Sequence, residues 1–275
     1  MGQSRPPLNL NSLLAAVEAA PPVGAVDVLA VALAEAIDAR EVSFLIADFS
    51  GRSLIRLGHS GGQGALRLQG HETAERVPLV GTPHGRALAA QAVEVVAEDG
   101  GARLFAPVTS RGEAVGVLEL GLEDFPVEQT VADVALAAHF LAYVVIANRR
   151  YTDLFEWGQR SVPLSLAAEI QHRLLPGAFT CEAGQFTLAA WLQPAGEIGG
   201  DTFDFSLERD TLHVSMTDAM GHTMDAALLA TVLVGGLRNA RRRGVELAEQ
   251  ARLANDALAE HAGEVAPDGM QRLLR

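Results

Sequence analysis

Residues 196–222 constrain the fold most strongly, because two short apolar segments here each lead an aspartate into a glycine-containing stretch. Asp201 follows Gly199 and Gly200 directly, and Asp218 ends an alternating apolar run that starts at Leu212. Alternation with a period of two predicts β-strands that place one face in a core. We expect both carboxylates to leave the strand ends into loops.

This pattern predicts a site for a hard cation. Glycine beside each aspartate lets backbone carbonyls and a hydrated ion approach closely. Carboxylates, carbonyls and waters are ligands of Mg²⁺ or Mn²⁺ rather than of zinc. A helix that begins just after Thr223 would direct its amides to the same place and favour a phosphate. Aspartates at strand ends and glycines in turns are also common in ordinary loops, so a purely structural role stays open.

Three motifs in the second half of the chain carry a family resemblance. The segment EIGGDTFDF, a following strand and then DAMGH resemble two signature motifs of the PPM-type (protein phosphatase 2C-like) serine/threonine phosphatases. The branch they resemble is that of stage II sporulation protein E and the sigma-factor regulators. Upstream, EIQHRLLP at residues 169–176 is similar to the helix that opens this phosphatase domain. The resemblance covers about residues 164–275.

The resemblance implies a catalytic pair, Asp201 and Asp218, and two bound Mn²⁺ or Mg²⁺ ions that activate a water. Asp218 would bridge both ions, Asp201 would act through metal-bound water, and the Ala219 backbone carbonyl would be a further ligand. The turns that support the phosphate would contain Gly199, Gly200, Gly221 and His222. The implied substrate is a phosphoserine on an anti-anti-sigma (STAS-domain) protein. Thr223 stands where the family commonly has glycine. Because the family domain continues with further acidic motifs, we expect a phosphatase domain truncated at its C-terminus.

Residues 24–126 predict a helix, two strands, a helix, a strand and a strand pair, and a long exit helix follows from near Val127. This order, and LFAPVTSRGEAVGVLEL in particular, resembles a GAF domain, although PAS modules share the antiparallel-sheet plan. GAF domains bind varied ligands or none, and the ligand here stays unknown. No cysteine precedes Cys181, which excludes covalent bilin attachment within this region. His59, His71 and His84 fall in loop-like sequence, where histidines are usually exposed to solvent.

The exit helix is predicted from Val127 to Gln159. Apolar residues recur along it at steps of four and three, which is a heptad pattern, and Asn148 occupies a position that can fix register in parallel dimers. The predicted seam contains Val134, Ala138, Leu141, Val145, Asn148, Thr152 and Phe155. The pattern therefore predicts a parallel homodimer, while its first half also suits packing on the sensor sheet. Pro163 then interrupts the helix.

These elements predict an α/β (α+β) fold in four parts. They are a loosely packed or disordered tail (1–23), a GAF-like sensor with an antiparallel sheet (24–126), a linker helix (127–162) and the first half of an α-β-β-α PPM phosphatase sandwich (163–275). In the last part, Arg238, Arg241, Arg242 and Arg243 end a helix, where positive charge suits the helix dipole. A docking patch for a phosphoprotein is the alternative.

Composition narrows the classes of partner and compartment. The net charge of −13 argues against nucleic acid and anionic membranes as partners. No run of eighteen apolar residues lacks a charge or a breaker, so no transmembrane helix is expected. One cysteine and no secretion signal favour the cytoplasm. The sequence thus predicts a GAF-regulated protein phosphatase, with a catalytically inactive GAF and coiled-coil scaffold as the alternative.

Overall fold

The computed structural model describes residues 7–60, 75–160, 164–192, 200–221 and 224–265. Its contacts divide the chain into two units. Unit 1 contains Met1–Val162 with Cys181–Phe186, and unit 2 contains Pro163–Thr180 with Thr187–Arg275. Helices combine with antiparallel strands along the chain, which confirms the predicted α+β class.

Unit 1 is built on a six-stranded antiparallel sheet. The strands are β1 (Glu41–Ala47), β2 (Ser53–Ser60), β3 (Arg76–Pro78), β4 (Glu94–Glu98), β5 (Gly101–Ser110) and β6 (Glu113–Leu122). Their order in the sheet is β3-β2-β1-β6-β5-β4. The helices are α1 (Leu10–Ala19), α2 (Ala25–Ile37), α3 (Pro83–Ala90), α4 (Glu128–Asn148) and α5 (Leu154–Gly158), with a 3-10 turn at Pro22–Gly24.

Alternation along the strands divides the apolar side chains of this sheet between its two faces. Phe44 and Leu118 belong to the large core that also holds the buried residues of α2 and α4. Leu45, Phe105 and Val117 belong to a smaller cluster with Ala87 of α3. Helix α3 therefore lies on the opposite face of the sheet from α2 and α4.

The β5–β6 hairpin forms as the sequence predicts. Its two turn residues, Arg111 and Gly112, have φ values of 53° and 79°. A two-residue hairpin turn of type I′ needs positive φ at both positions, which glycine adopts without cost. The predicted turn at Arg111-Gly112-Glu113 is confirmed.

The predicted tail contains a packed helix. Asn9 caps α1, because its side-chain oxygen accepts hydrogen bonds from the backbone amides of Asn11 (3.0 Å) and Ser12 (3.4 Å). Leu13 and Val17 are buried. The expectation of a loosely packed segment over residues 1–23 is therefore wrong for Leu10–Ala19, where a capped apolar stripe packs against the rest of unit 1.

The predicted exit helix consists of two helices, α4 and α5. The apolar residues of the predicted heptad seam belong to the core of unit 1. Helix α4 ends at Asn148, whose side-chain amide donates to the Val144 carbonyl (2.9 Å), and α5 begins only at Leu154. Val134, Ala138 and Leu141 are fully buried. These side chains of the predicted seam pack in the core of unit 1, whereas Asn148 and Thr152 are half-buried. The parallel homodimer stays a prediction.

Helix α4 is long and apolar enough to cross a bilayer by length and composition, with a mean hydropathy of 1.9. This differs from the expectation that no such helix exists. The burial of one face of α4 in unit 1 is typical of a soluble core helix with this composition.

Unit 2 places helices on one face of a two-stranded hairpin. Its elements are α6 (Leu166–Leu174), β8 (Thr187–Ala189), β9 (Gly200–Leu207), β10 (Leu212–Ala219), α7 (Met224–Arg242) and α8 (Leu247–Val265). β7 (Thr180–Glu182) pairs with β8 as a separate short sheet. Ser165 caps α6 by accepting from the Ala168 amide (3.2 Å), and Gly244 follows α7 with φ of 68°.

A buried glutamate organises the polar part of the α3 side of unit 1. Glu119 accepts hydrogen bonds from Arg103 (2.7 Å) and Arg56 (3.1 Å), and its carboxylate lies 3.0 Å from Nε2 of His84. His84 itself is buried in α3, so its expected exposure in a loop is wrong. Burial acts to raise the pKa of Glu119. The hydrogen bond of His84, the charge of Arg56 and the hydrogen bond of Arg103 outweigh burial and lower that pKa to about 2.

We expect Glu119→Gln to lower the free energy of local unfolding of β5 and β6 by about 2 kcal/mol at pH 7. The reason is that Arg56, Arg103 and His84 lose the negative charge of the carboxylate they contact. The folded pKa lies below the ordinary value of 4.5, so this stabilisation is complete above about pH 5 and is lost as the pH falls toward 2. Hydrogen exchange measured by mass spectrometry at pH 7, 5 and 3 should show that the difference in stability between the wild-type chain and Glu119→Gln shrinks at the lowest pH. Glu94→Gln, which breaks the more exposed Arg86–Glu94 pair, is the control and should cost less than about 1 kcal/mol.

Candidate metal centre

The two predicted aspartates lie directly opposite each other on paired strands. In the antiparallel β9–β10 register, Asp201 is the partner of Asp218, and Gly200 is the partner of Ala219. Directly opposite residues project their side chains to the same face of a sheet. Both carboxylates are exposed to solvent. The expectation that they lie in loops is wrong, because both are inside strands at one end of the hairpin.

The two carboxylates influence each other electrostatically. The pKa of Asp201 is raised above its ordinary value. The largest cause is loss of solvent around its carboxyl group, and the hydrogen bond and the negative charge of Asp218 add to it. Two like charges held side by side favour a shared proton or a cation between them. The arrangement is therefore suited to binding a positive ion.

The glycine before Asp201 has a steric reason. A Cβ atom on Gly200 would collide with the carbonyl oxygen and the Cβ of Ala219 across the hairpin. Glycine therefore permits the close strand approach that sets the carboxylates opposite each other. Gly221, two residues after Ala219, has φ of 96° and turns the chain away from β10. Gly199 and His222 lie outside the described residues.

Helix α6 contacts the backbone of this site. The Gln171 side-chain amide donates a hydrogen bond to the backbone carbonyl of Asp201, and Gln171 is only 2 % exposed. The hydroxyls of Thr202 and Thr217 pair across the hairpin on the same side as the helices. Together these contacts fix the ends of β9 and β10 that carry the carboxylates.

Sequence reasoning missed a third aspartate, Asp204, which ties the hairpin to α7. Its carboxylate is 5 % exposed and binds Arg238 (2.8 Å) and Arg241 (3.0 Å). Burial acts to raise the pKa of Asp204, and the hydrogen bonds and charges of the two arginines outweigh it and lower that pKa. Arg238 also donates to the Leu174 carbonyl at the end of α6 (2.6 Å). The expectation that these two arginines serve chiefly the helix dipole is wrong.

The hairpin has a polar face toward the helices and an apolar face toward solvent. Asp204 and Thr202 point to the helices. The residues that alternate with them, on the other face of the hairpin, are apolar. Val214 is 59 % exposed and Met216 is 85 % exposed. Asp201 and Asp218 share this outward apolar face, because they have the same strand parity.

The donor chemistry of the pair fits a hard cation. Two carboxylates and the Ala219 carbonyl are oxygen donors of the type that Mg²⁺ and Mn²⁺ prefer. Among the described residues, no group of three or more histidine, cysteine or acidic side chains is close enough to bind a metal. Waters would have to complete the coordination of an ion held here.

A cavity of about 420 Å³ lies at the other end of the hairpin. It is lined by His213 and Ser215 of β10, by Arg241 near the end of α7, and by Gln250 of α8. Neither Asp201 nor Asp218 lines it. Glu208 and Glu246 also line the cavity, so it has acidic groups of its own, separate from the carboxylate pair.

Comparison with known proteins finds a family similarity for part of unit 2. Residues 208–269 match the family model described as stage II sporulation protein E (SpoIIE). This segment of unit 2 is similar to part of that family. The matched residues include Asp218 and Ala219 but begin after Asp201. A search of curated proteins found no match.

Solved structures similar to the chain include the GAF domain of a phosphoenolpyruvate-protein phosphotransferase (ptsP) from Coxiella burnetii. It is 19 % identical, covers 51 % of this chain and 92 % of that chain, and has a TM-score of 0.44. The second GAF domain of DevS from Mycobacterium smegmatis is 18 % identical, with 48 % and 99 % covered and a TM-score of 0.38. A free methionine-R-sulfoxide reductase from Neisseria meningitidis, in complex with its substrate, is 20 % identical, with 52 % and 89 % covered and a TM-score of 0.42.

We expect Gly200→Ala to destabilise the β9–β10 hairpin by about 1–3 kcal/mol, because the added methyl group collides with Ala219. Hydrogen exchange of β9 and β10 amides measures the effect. Gly235→Ala in α7 is the matched control: its new Cβ meets no atom within 4 Å, so it should be neutral or stabilise α7 by about 1 kcal/mol. Equal effects from the two substitutions would contradict the steric role of Gly200.

Proposed function

We propose that the chain is a metal-dependent protein serine/threonine phosphatase of the PPM type, regulated by its N-terminal unit as a GAF-type sensor. The observation that carries the proposal is the cross-strand pair Asp201–Asp218 beside the Ala219 carbonyl. The match of residues 208–269 to the SpoIIE family supports it, because that segment contains Asp218.

In this proposal the chain's own residues hold and orient the reacting groups. Asp201 and Asp218 bind the metal ions from the outward face of the hairpin, and the Ala219 carbonyl adds a neutral oxygen. Gly200 allows the strands to approach closely, while Gln171 fixes the backbone at Asp201. Bound there, Mn²⁺ or Mg²⁺ supplies an activated water and neutralises negative charge on the phosphoryl group.

The substrate we propose is a phosphoserine on an anti-anti-sigma (STAS-domain) protein, on the strength of the motif resemblance. The proposed protein is a homodimer in the cytoplasm. It binds neither nucleic acid nor membrane, because its net charge of −13 opposes contact with anionic surfaces. The ligand of the sensor unit is left open.

A catalytically inactive sensor or scaffold is the second candidate. One observation favours it: the described residues supply only two acidic side chains to the site, with no third acidic or histidine ligand nearby. Two carboxylates with water bind a divalent ion more weakly than a fully built site does. Metal binding and hydrolysis therefore have to be measured separately.

We expect Asp218→Asn to abolish Mn²⁺-dependent hydrolysis of a phosphoserine peptide and to weaken Mn²⁺ binding at least tenfold, because the site loses one of its two charges. Titration calorimetry measures binding, and phosphate release measures turnover.

Asp210→Asn is the matched control, since Asp210 is an exposed aspartate in the β9–β10 turn at the opposite end of the same hairpin. It should leave both quantities unchanged. Retained activity in Asp218→Asn refutes the assignment of Asp218. Metal binding that requires Asp218, without any hydrolysis, supports the scaffold instead.

A further inference from the structure

The cavity of unit 2 has no part in the proposed phosphatase chemistry. It lies on the helix side of the hairpin, between β10, the end of α7 and the beginning of α8. Its volume of about 420 Å³ is within the range of sites that hold small molecules, which is roughly 300–1,000 Å³. The polar groups that line it indicate which class of molecule it suits.

Arg241 supplies hydrogen-bond donors to this cavity. Its side chain is 13 % exposed, and its Nη1 donates to the carboxylate of Asp204 (3.0 Å). Among the described residues, Nε and Nη2 of Arg241 have no acceptor. A guanidinium has five N–H donors, and leaving them unpaired away from bulk water costs free energy. A ligand that offers an acceptor beside Arg241 would remove this cost.

The positive charge around Arg241 is only partly neutralised. Arg238 and Arg241 both bind the single carboxylate of Asp204, so one positive charge is left over. Arg238 also donates to the Leu174 carbonyl, and it does not line the cavity. The remaining charge is therefore available to a ligand at Arg241. An anionic group fits there, because two N–H groups of a guanidinium pair well with a carboxylate or a phosphate.

The other charged groups of the cavity are mainly acidic. Glu208 lies at the turn of the hairpin, where its carboxylate is 3.2 Å from Nε2 of His213 and its side chain is 52 % exposed. Glu246, just before α8, is exposed as well. Two carboxylates face one histidine at this rim, which therefore suits a cationic group such as an ammonium.

The basic and acidic ends of the cavity are apart along the hairpin. Arg241 binds Asp204, whereas Glu208 comes four residues later, past the end of β9. At about 3.3 Å per residue this is roughly 13 Å of backbone. Apolar side chains of the two helices, Leu237 and Leu247, also line the cavity. A ligand with separated charges and a short methylene chain between them fits this arrangement.

A buried glutamine adds an acceptor to the lining. Gln250 is 7 % exposed, and its Nε2 donates to the Val245 carbonyl (2.8 Å). Its Oε1 has no donor among the described residues. An N–H group of a ligand would satisfy this oxygen. The cavity thus combines a donor for an anionic group with acceptors for an amine.

We propose that this cavity binds a small zwitterion, with its anionic group at Arg241 and its amino group at the rim formed by Glu208 and Glu246. The site is separate from the Asp201–Asp218 pair and needs no metal. It therefore adds a second ligand to unit 2, independent of the proposed hydrolysis.

Ligands with one sign of charge fit the cavity less well. A simple anion would pair with Arg241 but would also meet the two rim carboxylates. A divalent cation would meet the excess positive charge of Arg241, and no group of three acidic, histidine or cysteine side chains is close enough to bind it in the described part of the chain. A zwitterion satisfies both ends.

The first test is titration calorimetry of the full chain, in EDTA, with 6-aminohexanoate as the probe. We expect a Kd of about 1 mM or lower, since a probe of this size gains little free energy per atom. Hexanoate, hexylamine and inorganic phosphate should each bind at least tenfold more weakly, because each lacks one charge. Glycine should also bind more weakly, because its two charges are too close together.

The second test uses variants at the two ends of the cavity. Arg241→Gln should weaken binding of 6-aminohexanoate at least tenfold, and Arg242→Gln, at the exposed next position of α7, is the matched control. Glu208→Gln should weaken binding of 6-aminohexanoate about fivefold and leave hexanoate unaffected. Asp210→Asn, in the same turn but outside the cavity, is its control. Circular dichroism checks that each variant is folded, and Glu208→Gln leaves the Asp204 ion pairs untouched.

The outcomes separate this site from its alternatives. Absence of 6-aminohexanoate binding overturns the proposal, and so does binding that survives both Arg241→Gln and Glu208→Gln. Equally tight binding of phosphate or hexanoate would indicate a simple anion site, and equally tight binding of hexylamine an acidic patch; either result overturns the zwitterion. Asp218→Asn should bind 6-aminohexanoate like the wild-type chain, so the result does not depend on phosphatase activity.

Discussion

The pairing of β9 with β10 is the interaction on which the candidate site depends. A slip of one residue in this pairing would place Asp201 and Asp218 on opposite faces of the hairpin, because side chains alternate with a period of two. Gly200 fixes the close approach at this end, where any side chain would strike Ala219. The site is therefore a property of strand register rather than of flexible loops.

The same hairpin buries charge on its other face. Asp204 is removed from water at a cost that two arginines of α7 offset through direct hydrogen bonds. Arg238 extends the contact to the Leu174 carbonyl, so one guanidinium connects β9, α6 and α7. Gln171 of α6 then holds the Asp201 carbonyl. Through these two contacts, a displacement of α6 would also displace the strand that carries the Asp201 carboxylate.

Helix α4 shows how a single apolar helix serves two surfaces. Its inner side, with Val134 and Leu141, completes the core of unit 1. Its outer side repeats apolar residues at a similar spacing, shifted by about half a turn. Composition and periodicity are alike on both sides, so a heptad pattern in the sequence could not tell the core face from the exposed one.

The sequence by itself determined the elements whose signals are local. Alternation and turn residues predicted the β5–β6 hairpin with Arg111-Gly112, and helical spacing predicted α2 and α7. It also singled out Asp201 and Asp218, because an aspartate at the end of an apolar strand with a glycine within three residues is visible in the chain.

Only the tertiary structure decided which partners these residues meet. The cross-strand register set Asp201 opposite Asp218, and packing against α7 gave Asp204 its arginines. The sheet of unit 1 decided which face of α4 is buried. Local propensity cannot supply this information, because register, ion pairing and burial depend on residues far apart in the sequence.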